Sequence, residues 1–192
     1  LARGAKPHWL GQLGVKDVER AAAAFVERGA MQIGPIRPTS DGGQAVVLRD
    51  PGGALVAVAT PPPANAEARV DVAWHVLNTN DVARASANYR ELFGWELTER
   101  VDLGAHGVFQ QFAWHAGGPT VGAIADIAAR PGVHPHWSFV FEVDVLEDAI
   151  AATRAAGGAV LDPIVLPSGE RVYACDDPQG AAFALRVRRR LA

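Results

Sequence analysis

The chain of 192 residues is predicted to be an α+β protein built of repeated βαβββ modules, and three observations carry that prediction. The stretch VAWHVLNTNDVARASANYRELFGW, Val72 to Trp95, reads as a strand, an acidic helix start, an amphipathic helix and a glycine stop. The same succession of signals occurs once before it and once after it. Finally, the first and third modules are copies. Pro7, His8, Trp9, Val15, Glu19, Ala21, Gly29, Pro35, Ile36 and Ser40 match Pro135, His136, Trp137, Val143, Glu147, Ala149, Gly157, Pro163, Ile164 and Ser168 at one constant offset. After a one-residue gap, Asp50, Pro51 and Gly53 match Asp177, Pro178 and Gly180. Self-similarity of this kind marks a repeat architecture.

In the first module, A, Pro7 to Val15 is a strand softened by glycine. From Asp17 the period becomes helical, with Val18, Ala21, Ala22, Phe25 and Val26 on one face and Gly29 as the stop. Strands are expected near Met31 to Ile33, Gln44 to Leu48 and Leu55 to Thr60, the last two joined by the turn Asp50-Pro51-Gly52-Gly53. Module A and its lead-in fill residues 1–60, and a Pro-rich linker takes 61–69. Module B, residues 70–127, has its strand at Val72 to Thr79, a helix capped by Asp81, and strands at Trp95 to Val101, Val108 to Trp114 and Thr120 to Ile127. Module C, residues 135–188, repeats the order. Its strands are Pro135 to Val143, Ala159 to Leu161, Arg171 to Cys175 and Ala182 to Val187, and its helix is marked by Leu146, Ala149, Ile150 and Thr153. B and C together form a complete domain over 70–190.

Composition narrows the function classes. A net charge of −3 gives no reason to expect nucleic acid or an anionic membrane as partner. The run Arg186, Arg188, Arg189 and Arg190 reads as a solvated tail. A lone cysteine, Cys175, excludes an intramolecular disulfide framework, suits a reducing cytoplasm and sits in an apolar run as a structural thiol. No apolar run reaches the roughly 18 residues of a membrane helix, and no signal peptide is visible. Heavy use of Ala, Arg, Gly and Pro is associated with a GC-rich bacterial genome. The sequence starts at Leu1 rather than Met, and Ala2-Arg3 before Pro7 echoes Ala129-Arg130 before Pro135. The expectation is a further B-type module upstream, four in all.

Paired βαβββ modules, with W-x-x-L-x-T-x-D and Y-x-x-L-F-G-W in one and H-W with D-P-x-G in the other, resemble the vicinal oxygen chelate superfamily. That superfamily holds glyoxalases, bleomycin-resistance proteins and extradiol dioxygenases, and the likeness is greatest to bacterial proteins with four tandem modules. The resemblance implies that B and C face each other in a cupped eight-stranded mixed sheet with helices outside. It leaves A as half of a second cup, pairing with an absent segment or with A of a second copy in a homodimer.

Metal-dependent relatives place a His, Gln or Glu on the first strand of each module and a Glu on the last. Seven residues before the helix-starting acid lies Trp74, not His75, and the matching position in C is Ser138. Seven residues after the turn aspartates lie Ala57 and Ala184. None of these is a ligand for a borderline ion, and Asp126 in B is in uncertain register. No cofactor is therefore expected, with a divalent metal as the alternative. Strand alternation puts Trp74, Val76 and Asn78 toward the cavity and His75 on the helix side as a satisfied core histidine. In C it leaves Ser138, Val140 and Glu142 toward the cavity. His136 repeats as His8 beside a tryptophan, which makes His134-Pro135-His136 a structural strand start. For Val108 to Trp114 both faces stay open: Val108, Gln110, Phe112 and Trp114, or Phe109, Gln111, Ala113 and His115.

The expected ligand-binding set is Trp74, Val76, Asn78, Gln110, Phe112, Trp114, Ser138 and Val140, with Glu142 as the one catalytic candidate, a general base or hydrogen-bond acceptor. The leading expectation is a protein of this superfamily that binds a small organic ligand without a metal centre. The alternatives are a metal-dependent glyoxalase-like lyase or dioxygenase, and a non-catalytic assembly module with a filled cup.

Overall fold

A computed structural model describes residues 7–62 and 72–188. Module A comprises β1 (Gln12–Gly14), α1 (Val18–Glu27), β2 (Met31–Gln32), β3 (Arg37–Pro38), β4 (Gln44–Arg49) and β5 (Leu55–Ala59). Module B comprises β6 (Val72–Thr79), α2 (Val82–Phe93), β7 (Glu96–Asp102), a 3-10 turn at Gly104–His106, β8 (Val108–Ala113) and β9 (Thr120–Asp126). Module C comprises β10 (His136–Val143), α3 (Leu146–Ala155), β11 (Ala159–Val160), β12 (Ile164–Val165), β13 (Arg171–Asp176) and β14 (Ala182–Val187). The expected elements are all present. The short strands β3 and β12 and the 3-10 turn are additions, too brief to carry a periodic signal. The linker from residue 63, the Ala2-Arg3 echo and Arg189 and Arg190 lie outside the described residues.

Local chemistry sets the helix ends. Asp17 and Asp81 accept the backbone N–H of Arg20 at 2.9 Å and of Arg84 at 3.0 Å, as N-caps do. The chain leaves α2 through Gly94 at φ 72°, a conformation that costs glycine nothing. No side chain caps α3, whose first turn carries Glu147 and Asp148 instead and so favours the positive end of the helix dipole.

Each module has its first strand beside its last, in parallel. The orders are β1-β5-β4-β2, β6-β9-β8-β7 and β10-β14-β13-β11. B and C join through antiparallel pairing of their first strands, Asn78 opposite His136, Val76 opposite Ser138 and Trp74 opposite Val140. The result is one continuous mixed sheet of eight strands in line, with β12 beside β13. Module A forms a separate five-stranded sheet. Its β1 is only three residues long, against the nine expected, and within the described residues it pairs on one side alone, with β5.

A rests on the helix side of the B–C sheet. Phe25 of α1, fully buried, meets Tyr89 and Phe93 of α2 edge-on at ring-centroid distances of 5.6 and 5.7 Å. The Tyr89 hydroxyl donates to buried Asp50 of the A turn at 3.2 Å. Tyr89, Trp95 and Phe112 continue inward as a stack, spaced 4.6 and 4.2 Å. A single core thus runs through A, B and the β10 residues Trp137 and Phe139, while Leu146, Cys175 and Leu185 form a smaller one under α3.

Candidate functional site

The B–C sheet has two faces, and the paired registers assign residues to each. His75, Gly122 and Phe112 lie side by side, as do Leu77, Ile124 and Gln110. These occupy the helix side. Val76, Ala123 and Gln111, and Asn78, Ala125 and Phe109, occupy the opposite, cupped face. The open question about Val108 to Trp114 is thereby answered: Phe109 and Gln111 line the cup.

The expected set is consequently divided. Trp74, Val76, Asn78, Ser138 and Val140 share the cupped face, as strand alternation requires. Gln110, Phe112 and Trp114 do not join them. Phe112 is fully buried against Trp95, and Gln110 donates its amide to the carbonyls of Thr98 and Glu99 at 3.3 Å across an irregularity in β7. Trp114 lies beyond a register shift in β8 and meets His75 edge-on at 4.9 Å. The physical reason is Gly122. A Cβ there would approach the His75 carbonyl oxygen to 2.3 Å and the Phe112 ring to 2.6 Å, so glycine makes room for Phe112 on the helix side.

His75 is the satisfied core histidine that alternation implies. Its Nδ1 lies 3.0 Å from the Val121 carbonyl oxygen, and burial pushes its pKa down. The neutral ring donates from Nδ1, leaving Nε2 as an acceptor. His136 is also held down by burial. It bonds the His134 carbonyl through Nδ1 at 2.7 Å and lies 3.4 Å from the Asn78 amide nitrogen through Nε2. Both ring nitrogens are occupied, so His136 fastens the start of β10 to β6. Asp126 registers with Thr79, at the exposed end of β9 and away from the cup.

The chemistry of the cup is concentrated at the other end of β10. Glu142 and Arg186 are partners in the parallel register of β10 and β14. Arg186 donates from Nε and Nη2 to one Glu142 oxygen at 3.1 and 2.8 Å. Its Nε also lies 3.7 Å from a Glu170 oxygen, and its guanidinium sits 6.0 Å from the Trp74 ring centroid. The three charged side chains are 14–20% exposed. Arg186 is thus no tail residue. Its long stem crosses β10 and brings a cation to Trp74, an arrangement that combines charge-assisted hydrogen bonds with ring-face attraction. Sequence reading missed Arg186 and Glu170. The place of Arg186 inside the apolar last strand, between Leu185 and Val187, was the available signal for the first. Glu142 is on the cupped face as expected, but as an ion-pair partner it has an oxygen committed to Arg186.

Cys175 is 1% exposed; burial, together with Asp176, pushes its thiol up to about 11. It is a packing residue, not a nucleophile.

The residues at the family-type metal positions do not fit a divalent ion. On the first strands those positions hold Trp74 and Ser138, and on the last strands Ala57 and Ala184. These offer one hydroxyl and no imidazole or carboxylate. Among the described residues, no group of three His, Cys, Asp or Glu converges. Nor is any described helix long and apolar enough to cross a membrane.

A separate cavity of about 680 Å³ lies on the helix side, between β1 and the B–C sheet. It is lined by aromatic side chains, His75 and β1. Its lining contains none of the charged cluster.

The sequence profile of the Glyoxalase/Bleomycin resistance protein/Dioxygenase superfamily matches residues 71–185. A protein of Mycobacterium tuberculosis named "Putative glyoxylase CFP32" is 28% identical over 190 residues, spanning 95% of this chain and 70% of that one. The same holds for its namesake in Mycobacterium bovis. Among solved structures, the 2,3-dioxygenase LapB of Pseudomonas sp. KL28 superposes with a TM-score of 0.59 at 16% identity, covering 93% of this chain and 71% of that one. The Mn(II)-bound glyoxalase of Novosphingobium aromaticivorans gives 0.55 at 15% identity, covering 93% and 62%. At these identities the structures share the fold alone.

Proposed function

Because the chain belongs to the Glyoxalase/Bleomycin resistance protein/Dioxygenase superfamily, we propose that its B–C cup binds a small organic molecule directly through side chains, without a metal centre. The observation that carries this reading is the half-buried cluster of Arg186, Glu142, Glu170 and Trp74 on the cupped face. An aromatic surface beside a few fixed polar groups is the usual make-up of a small-molecule site. The ligand class it suits is a planar ring system carrying hydrogen-bonding substituents. The ring would stack on Trp74, and Ser138 and the ion cluster would answer the polar groups. Cys175 as a lone, inert thiol goes with a reducing compartment such as the cytoplasm.

The test is a thermal-shift screen of planar aromatic acids, phenols and amines on the wild-type chain and three variants. A ligand at a hundredfold its Kd stabilises by about 2.7 kcal/mol. Stabilising compounds should lose their effect in Trp74→Ala and Arg186→Met and keep it in Trp114→Ala. The reverse pattern would move the site to the helix-side cavity and overturn the reading.

A second reading, a metal-dependent glyoxalase-like lyase or dioxygenase, is favoured by the name of the mycobacterial relatives. It is opposed by the donor set. Stoichiometric Ni, Zn, Fe or Mn in the purified protein would decide for it. A screen that finds no stabilising compound, on a metal-free chain, would favour the assembly-module alternative.

A further inference from the structure

The turn of module A and its copy in module C differ at a position where the backbone makes no demand. Asp50-Pro51-Gly52-Gly53 answers to Asp177-Pro178-Gln179-Gly180. Gly53 and Gly180 both have a positive φ, and Gly52 does not. What glycine supplies at 52 is close approach. A Cβ there would come within 2.6 Å of Thr79 Oγ1 and 3.3 Å of Asp50 Oδ1. In C the same place holds an exposed Gln179.

Around Gly52 lies a nook of about 10 Å³ where the turn of A meets B, walled by Asp50, Thr79, Asn88 and Tyr89 among others. Its polar groups are buried and incompletely bonded. Asn88 of α2 is 7% exposed, and its Nδ2 has no hydrogen-bond partner among the described residues. Such a buried donor is costly unless something accepts from it. Thr79, at the end of β6, is 1% exposed; its Oγ1 accepts from Asp81 N at 3.2 Å, and its own proton remains to be donated. Asp50 accepts once on each oxygen, from Ala54 N at 2.9 Å on Oδ1 and from the Tyr89 hydroxyl at 3.2 Å on Oδ2. A carboxylate has about four acceptor sites, so two are in reserve.

We propose that this nook is a binding site for one water molecule, which accepts from the Asn88 amide and the Thr79 hydroxyl and donates to the Asp50 carboxylate. The size and the partners agree: a single internal water needs about 10–15 Å³ and two to four polar neighbours. The donor count selects water over a cation, because a metal or ammonium ion gives an N–H or O–H nothing to donate to. The water ties the turn of A to β6 and α2 of B, beside the apolar contact of Phe25 with Tyr89 and Phe93. Gly52 is the residue that makes room for it. The copy in C, which meets no second module there, carries glutamine instead.

The test is a crystal structure of the whole chain at a resolution that shows ordered water, with the wild type beside Gly52→Ala, Asn88→Leu and Gln179→Ala. The wild type should show one density peak within hydrogen-bond distance of Asn88 Nδ2, Thr79 Oγ1 and an Asp50 oxygen. Gly52→Ala and Asn88→Leu should lose the peak, and Gln179→Ala, the matching position in C, should keep it. In solution, the Asn88 side-chain amide of the wild type should show cross-relaxation with water, with NOE and ROE of opposite sign. The wild-type peak and this signal carry the test if neither nook variant folds. No peak in the wild type, an Asn88 amide bonded directly to a protein acceptor, or a peak that persists in Gly52→Ala would overturn the proposal. So would a peak whose occupancy follows the sodium or potassium concentration, which would make the nook a cation site.

Discussion

Where module C carries the Glu142–Arg186 ion pair, its copy, module A, carries Gly14 and Ala59 in the same parallel register. The two modules retain the same turn. In both, the aspartate accepts the N–H four residues on at 2.9 Å, from Ala54 in A and from Ala181 in C. The glycine before that residue is left-handed in both, φ 101° at Gly53 and 89° at Gly180. What the copies share is backbone instruction, the turns and strand starts that fix a βαβββ path. What they do not share follows from what each packs against. A lies on α2, and its helix is correspondingly apolar; C faces a cup, and its last strand carries charge.

The helix offers the largest test of that division. Phe25 of α1 is fully buried between modules, and the residue at its offset in α3 is Thr153, part-exposed and bonded to the Ala149 carbonyl at 2.8 Å. Phe25→Ala should cost about 3–5 kcal/mol, and Thr153→Ala no more than about 1 kcal/mol, both read from urea unfolding. Equal costs would mean that A and C are held by the same kind of contact, and the comparison would fail.

The turn aspartates come next. Asp50 is 4% exposed and takes the Tyr89 hydroxyl in addition to its turn bond, whereas Asp177 is half-buried and accepts from the backbone groups Gln179 N and Ala181 N. Asp50→Ala should destabilise by about 2 kcal/mol, because the Tyr89 hydroxyl loses its buried partner, and Asp177→Ala by about 1 kcal/mol. Tyr89→Phe should remove most of the difference between the two. If it leaves the difference intact, the Asp50 contact with α2 is not what distinguishes the turns.

The modules themselves were legible because their signals are local. Asp17 and Asp81 as caps, Gly29 and Gly94 as stops and the D-P turns each act within a few residues. The face of Trp74 and His75 was legible too, since alternation is also local. The side on which Phe112 and Trp114 lie was not, because it depends on Gly122 of a neighbouring strand and on a register shift between β8 and β9. Arg186 was hidden for a similar reason. A basic run near a terminus reads as solvated until Glu142, 44 residues earlier, is known to be its lateral partner. The helix-side cavity is a contact between modules, which no periodicity reports.

The smallest expected effect is also the one that isolates charge from shape. Burial raises the pKa of Asp50 above its ordinary value of 3.8. A carboxyl whose folded pKa exceeds its unfolded one takes up its proton in the folded state first. Its ionisation therefore weakens the fold at neutral pH, and stability returns as pH falls through the folded pKa. The buried histidines act oppositely. With His75 and His136 lowered, the unfolded chain protonates first, and stability is lost as pH falls below about 6.5. Those histidines are common to the wild type and to Asp50→Asn, so they cancel in the difference between the two. That difference should move in favour of the wild type as pH falls from 7 toward the ordinary carboxyl value of 3.8, measured by urea unfolding. The corresponding difference for Asp177→Asn supplies the reference from module C. A flat difference for Asp50→Asn would leave the Tyr89 contact, and not the buried charge, as the feature that sets module A's turn apart from its copy.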